Sequence, residues 1–158
     1  MKKTIIALIA LLSASLYAQS TETLIELVKS NLQVEKKGII AEAMELNSEQ
    51  SDKFWPIYNE YEKQVSKLID QKVAIIKEYA ENYDSLTNAV AEDLVEKSFD
   101  LEEERLKLEK ETYNKVKEVL NAKYAGKFIQ LVSRINKIIN IQLASEIPLI
   151  PADEKTSK

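Results

Sequence analysis

The scarcity of chain-breaking residues constrains this sequence more than any other feature. Only two glycines and three prolines occur among 158 residues, so few positions favour a tight turn. Alanine, leucine, glutamate, lysine and glutamine are frequent, and all of them favour helix. Apolar side chains also recur at helical spacing through most of the chain. The sequence therefore predicts an all-α domain built from a few long helices.

The first residues, 1–18, have the order of a secretory signal peptide. Lys2 and Lys3 precede an uncharged apolar run, and small residues follow it up to Ala18. This charged, apolar and small-residue order is typical of a cleaved leader. The apolar run is shorter than the roughly 20 residues that a membrane-spanning helix needs. We therefore expect an exported protein, cleaved after Ala18 or alternatively after Ser20.

Histidine and cysteine are both absent. Their absence removes the usual transition-metal ligands, the thiol nucleophile and the imidazole base, and we expect no enzyme, no metal site and no cofactor. The run Glu102-Glu103-Glu104 could supply oxygen ligands to a hard cation, but consecutive helix residues point in different directions. The excess of 26 acidic over 22 basic residues argues against a nucleic-acid partner.

Hydrophobic periodicity predicts one helical domain over residues 19–151. The predicted helices span about 23–45, 48–82, 88–120 and 122–145. Asn47 and Gln50 form a capping-box pattern that begins the second helix. Pro56 predicts either a kink in that helix or a short separate helix ending at Trp55. Residues 147–151 are predicted to form an extended apolar strap, and residues 152–158 are predicted to be a disordered polar tail.

The third helix carries two apolar stripes on roughly opposite sides. One comprises Phe99, Leu106, Tyr113 and Leu120, and the other comprises Leu94, Leu101, Leu108 and Val119. One stripe can pack on the second helix, while the other needs a further partner. That partner could be the first helix, the fourth helix or another copy of the protein, so a homodimer is expected.

The fourth helix combines a wide apolar arc with a basic stripe on an otherwise acidic chain. The candidate residues for binding a client or partner protein are Lys123, Lys127, Phe128, Leu131, Arg134, Ile135, Lys137 and Ile138. The alternative is that the arc is core, in which case only the basic stripe and part of the apolar margin are exposed. A third possibility is that the arc contacts an anionic membrane surface.

A short motif at the start of the second helix indicates a family. Leu46-Asn47-Ser48-Glu49-Gln50 resembles the LTxxQ element of the Spy/CpxP family of periplasmic proteins, with Asn47 in place of Thr. The segment that follows, and residues 120–124 at the start of the last helix, also resemble small secreted proteins of this group. The residues carrying the motif are Leu46, Asn47, Gln50, Phe54, Trp55, Pro56 and Tyr58.

The resemblance implies a fold and a function. The expected fold is a long bent helical hairpin of about four helices that forms an antiparallel dimer in the periplasm. The expected function is that of an ATP-independent chaperone whose apolar and basic concave surface holds unfolded or partly folded proteins. The alternative is a regulatory protein that docks a membrane stress sensor or an anti-sigma system.

Overall fold

The computed structural model describes residues 32–152, and they form four α-helices. These are α1 (Leu32–Met44), α2 (Ser48–Asn82), α3 (Asn88–Val119) and α4 (Ala122–Glu146), with a 3₁₀ turn at Tyr83–Ser85 between α2 and α3. No strand occurs in this part of the chain, so the all-α prediction is confirmed. The predicted signal peptide, the predicted start of the first helix at 23–31 and residues 153–158 of the tail lie outside the described residues.

Asparagine caps fix the starts of α2 and α4. The Asn47 side-chain oxygen accepts a hydrogen bond from the Gln50 N–H at 2.9 Å, and the Gln50 side-chain oxygen accepts one from the Asn47 N–H at 3.1 Å. This reciprocal pair is the predicted capping box. Asn121 caps α4 from one side only, accepting from the N–H groups of Lys123 and Tyr124, because Tyr124 has no amide to return the bond.

Pro56 does not interrupt α2. The helix is continuous from Ser48 to Asn82 and contains the proline in its third turn. The alternative prediction of a short separate helix ending at Trp55 is therefore wrong. The proline lacks one backbone donor, and the Trp55 ring beside it contacts the rings of Phe54 and Tyr58 edge to face.

α2 and α3 form a hairpin, and the other two helices pack against it. α2 and α3 pack antiparallel, and α4 returns along them in the direction of α2. Phe54 lies beside Phe128 near the starts of α2 and α4, with ring centroids 5.4 Å apart. Near their ends, the Tyr79 hydroxyl donates to the Pro148 carbonyl at 3.0 Å. α1 packs on α4 and contacts α2 through Lys36.

The core is concentrated at one end of the bundle, where α1, the starts of α2 and α4 and the end of α3 meet. Its centre is aromatic, since Tyr61 and Phe54 both contact Phe128 edge to face. Between residues 70 and 100, by contrast, only Val73 and Leu94 are buried. The core cluster consists of Ile40, Met44, Phe54, Tyr58, Tyr61, Leu108, Val116, Ala125, Phe128, Val132 and Ile135.

Candidate functional site

The outer side of α4 exposes cationic and apolar residues together. Steps of three, four and seven residues place them on one side of the helix. Ile138 and Ile141 are 59% and 71% exposed, so they are not part of the core. We call this surface the basic–apolar face and define it by Lys123, Lys127, Arg134, Lys137, Ile138 and Ile141.

Three of the predicted binding residues pack in or against the core. Phe128 has no exposed surface and Ile135 is nearly buried, because both point into the aromatic core. Leu131 is half-buried and packs against the same cluster. The prediction that these three present an apolar binding surface is therefore corrected: the arc is core, and the basic stripe and the apolar margin around Ile138 are what α4 exposes.

The charge of the basic–apolar face is largely uncompensated. No acidic residue occurs between Glu118 and Glu146, although the chain as a whole carries a net charge of −4. Among the described residues, Lys127 is the one cation of the face with an acidic partner, and its Nζ lies 3.5 Å from a carboxylate oxygen of Glu45. Both side chains of this pair are well exposed, so solvent weakens the attraction.

The chain after α4 also exposes apolar side chains. Residues 148–152 are non-helical, and the Tyr79 hydroxyl holds the Pro148 carbonyl against α2. Burial raises the pKa of this tyrosine, with Tyr83 contributing. Leu149 is 89% exposed and Ile150 is also exposed. The sequence analysis missed Ile141, whose position three residues after Ile138 would have placed it on the same face.

The residues of the LTxxQ-like motif build the base of the bundle and form no surface site. Asn47 and Gln50 make the cap, Phe54 and Tyr58 are buried, and Leu46 packs beside them. Trp55 is half-buried against Phe54, and the Nζ of Lys37 lies 5.3 Å from its ring centroid. Pro56 is exposed. The motif thus joins the beginning of α2 to α1 and α4.

The bundle interior contains a small, mostly apolar cleft between α2, α3 and α4. Its volume is about 90 Å³, and its walls include Leu68, Leu101 and Ile139. Burial lowers the pKa of Lys72, with the charge of Glu102 opposing this shift, and the Lys72 Nζ donates to the Asn140 side-chain oxygen at 2.8 Å. Ligand pockets usually measure at least ~300 Å³, so this cleft is small for an organic substrate.

One glutamate of the acidic run of α3, Glu102, is paired with a cation of its own helix. Glu102 lies 2.6 Å from Arg105, which also contacts Glu109 at 2.6 Å. Within residues 32–152, no three acidic side chains are grouped in a way that could hold a metal ion. The described helices also include none with an apolar stretch long enough to cross a bilayer.

Comparison with protein family models, with curated proteins and with solved structures found no match. Function is therefore inferred from the exposed surface of α4.

Proposed function

We propose that this chain is an exported periplasmic chaperone that binds unfolded or partly folded proteins without ATP on the basic–apolar face of α4. The observation that carries the proposal is that two exposed isoleucines continue a row of four cations on an acidic chain. Ile138 and Ile141 are exposed outside the core of the described chain, and adjacent exposed apolar side chains suit contact with apolar client segments.

The face combines two physical properties that suit a client of variable sequence. Burial of apolar surface is non-directional and contributes about 25 cal/mol per Å² removed from water, so Ile138 and Ile141 can accept many different apolar segments. The cations attract acidic segments and accelerate encounter, and this effect weakens with salt. We therefore infer that the preferred clients are extended chains in which apolar and acidic residues are neighbours.

Two features of the sequence add support. The order of residues 1–18 favours export, and an exported chaperone works where ATP is absent. The segment Leu46–Gln50 resembles the LTxxQ element, whose family includes chaperones of this kind. The regulatory alternative, in which one membrane sensor or anti-sigma protein docks on the same face, requires the same surface and differs in the number of partners accepted.

The test is suppression of aggregation of a chemically unfolded model client, followed by light scattering without ATP. The charge variant is Arg134→Glu/Lys137→Glu, and the apolar variant is Ile138→Ser/Ile141→Ser. A matched control is Lys63→Glu/Lys67→Glu, which makes the same charge change at exposed positions of α2. We expect the wild type and the control to suppress aggregation, and both α4 variants to do so several-fold less well at equal helicity.

Other outcomes separate the alternatives. If the wild type does not suppress aggregation at several-fold molar excess, general chaperone activity is excluded and a dedicated protein partner is favoured. If the control variant loses as much activity as the α4 charge variant, overall charge is responsible and the α4 face is not the site. Binding to anionic vesicles that is abolished by the apolar variant would instead assign the face to a membrane surface.

A further inference from the structure

The residues that follow α4 contain the same dipeptide twice. Ile147-Pro148 and Ile150-Pro151 are three residues apart, and we call residues 147–151 the apolar strap. A polyproline II helix has three residues per turn and rises about 3.1 Å per residue. In that conformation the two dipeptides lie on one side of the segment, roughly 9 Å apart.

The sequence of the apolar strap favours this conformation. A proline ring fixes its own φ at about −65° and disfavours the α region for the residue before it. Ile147 and Ile150 both precede a proline, so Leu149 is the one residue of the apolar strap with neither restraint. Ile147 has φ −93° and ψ 117°, and residues 148–152 are neither helix nor strand. The chain is therefore extended where α4 ends.

The apolar strap is exposed although all of its side chains are apolar. Leu149 is 89% exposed and Ile150 is 54% exposed. Pro148 and Pro151 are exposed as well, and Ile147 is half-buried. None of these side chains belongs to the core cluster of the described residues. Contiguous apolar residues that the core does not use mark a contact surface for a partner.

Two hydrogen bonds hold the first residues of the apolar strap in place. The Tyr79 hydroxyl of α2 donates to the Pro148 carbonyl at 3.0 Å, and the Ile147 N–H donates to the Leu143 carbonyl at 3.2 Å. The Tyr79 ring in turn packs edge to face on Tyr83, with ring centroids 5.6 Å apart. A segment that is ordered before it binds loses less conformational entropy on binding. The apolar strap is thus presented in a fixed place beside the end of α2.

The backbone of the apolar strap has few donors to offer. Pro148 and Pro151 have no N–H, and the Ile147 N–H is bonded to α4. Leu149 and Ile150 remain, and neighbouring residues of a strand direct their backbone groups to opposite sides. The segment would therefore donate one hydrogen bond to the edge of a sheet, where a ladder needs several. Polyproline II needs no ladder, and its carbonyl oxygens are free to accept hydrogen bonds from a partner.

We propose that the apolar strap is a docking motif that a partner protein binds in the polyproline II conformation, in a groove lined by tryptophan and tyrosine. Grooves lined by aromatic residues recognise prolines at this spacing. Their flat rings pack on the two Ile-Pro dipeptides, while the indole N–H and the phenol O–H donate to carbonyl oxygens of the apolar strap.

This docking goes beyond the proposed chaperone function and does not rest on it. The apolar strap shares no residue with the basic–apolar face of α4, so a docked partner leaves that face free for a client. The consequence is that the chain binds clients while it is held beside another protein. Such a link raises the effective concentration of the chain at that protein.

The test is photocrosslinking in the producing cell, followed by titration of the purified pair. A benzophenone amino acid replaces Leu149, and a control chain carries it in place of Lys63, which is exposed on α2. We expect one discrete adduct from position 149 and no adduct of that mass from position 63. Mass spectrometry should place the crosslink beside tryptophan or tyrosine residues of the partner.

Isothermal titration of the purified partner with the mature chain then measures each contribution. Pro148→Ala/Pro151→Ala should weaken binding at least about tenfold, because it removes both rings and loosens the backbone. Pro56→Ala changes the exposed proline of α2, so it is the matched control and should bind like the wild type. Tyr79→Phe should weaken binding about threefold, because it releases the apolar strap without changing any residue of it.

Helicity and suppression of client aggregation should be the same in all these variants, so a failure of the docking and a failure of the chaperone function are distinguishable. The docking is overturned if no adduct forms from position 149, if the adduct is a second copy of this chain, or if Pro148→Ala/Pro151→Ala binds like the wild type. A spread of many client adducts would instead assign the apolar strap to the client-binding surface. Binding to lipid vesicles that the double proline variant abolishes would assign it to a membrane.

Discussion

The Lys36 Nζ on α1 lies 2.7 Å from a carboxylate oxygen of Glu62 on α2, and both side chains are largely buried. The ammonium also lies 5.4 Å from the centroid of the Tyr61 ring. This pair is the polar contact that ties α1 to α2 beside the aromatic core. Both charges are shielded from bulk water, so water cannot solvate one of them when the other is removed. Loss of either residue alone should therefore destabilise the fold.

The first prediction concerns this pair. Lys36→Met leaves the Glu62 carboxylate buried without a counter-charge, and we expect it to lower the free energy of unfolding by about 3–5 kcal/mol. The double variant Lys36→Met/Glu62→Leu removes both charges and should lie much closer to the wild type. Urea denaturation of the wild type, both variants and Glu62→Leu gives the four free energies of unfolding of a double-mutant cycle for this pair. Equal stability of Lys36→Met and wild type would show that the pair is not coupled.

The second prediction concerns the cap of α2. Asn47→Ala removes the acceptor for the Gln50 N–H, and we expect a loss of about 1 kcal/mol in the free energy of unfolding. Asn47→Asp keeps the acceptor and should retain most of the stability. Asn59→Ala, at an exposed position within α2, is the matched control and should not destabilise. A destabilisation of equal size at both asparagines would contradict the role of the cap.

The third prediction separates the buried and exposed sides of α4. Phe128→Ala should cost about 3–5 kcal/mol, because the ring fills the space between Phe54 and Tyr61. Ile141→Ala should change stability by no more than about 0.5 kcal/mol, since its side chain is mostly in solvent. Chemical denaturation measures both. If Ile141→Ala were as damaging as Phe128→Ala, that isoleucine would be buried in an assembly already present in the sample.

The fourth prediction concerns alkaline pH. Burial raises the pKa of Tyr61 and of Tyr58 far above the ordinary value of 10, and the negative charges of Glu62 and Glu109 reinforce this. The unfolded chain releases these phenol protons near pH 10, whereas the folded chain retains them. The contribution of these two tyrosines to the free energy of unfolding is therefore fully present below pH 10, and it is lost as the pH rises above 10.

Absorbance near 295 nm, which reports tyrosinate, measures this directly. We expect the phenols of Tyr58 and Tyr61 to ionise only as the helices unfold. Tyr58→Phe should reduce the loss of stability above pH 10. Its effect near neutral pH should be small, because the Tyr58 hydroxyl has no hydrogen-bond partner among the described residues. Ionisation of all tyrosines before any loss of helix would contradict the prediction.

Local signals in the sequence predicted the helix ends well. The Asn47–Gln50 pattern places the start of α2 at Ser48, and Asn121 places that of α4, because side-chain caps act within one turn. What periodicity could not decide is which side of a two-striped helix faces inward. Both stripes of α3 are similarly apolar, and which of them becomes buried depends on where α4 packs.

The burial of Lys36 was missed for a related reason. It shares a face with Ile40 and Met44, at steps of four residues, and that spacing is the signal that could have revealed it. A lysine is rarely buried without an acidic partner, and the partner on α2 is identified only once the helices are placed together. The same holds for Phe128 and Ile135, whose apolar arc reads equally well as core or as binding surface until α2 and α3 are seen to cover it.

The concentration of large buried side chains at one end of the bundle also has a dynamic consequence. Separating α2 from α3 near their connecting turn exposes little apolar surface, because Val73 and Leu94 are the only buried residues between positions 70 and 100. Such a partial opening costs much less than global unfolding. Backbone amides near the turn should therefore exchange with deuterium long before those around Phe54 and Phe128. The end of the bundle that holds the aromatic core can therefore stay folded while the end at the α2–α3 turn opens. Such an opening changes the length of the molecule without disturbing its core.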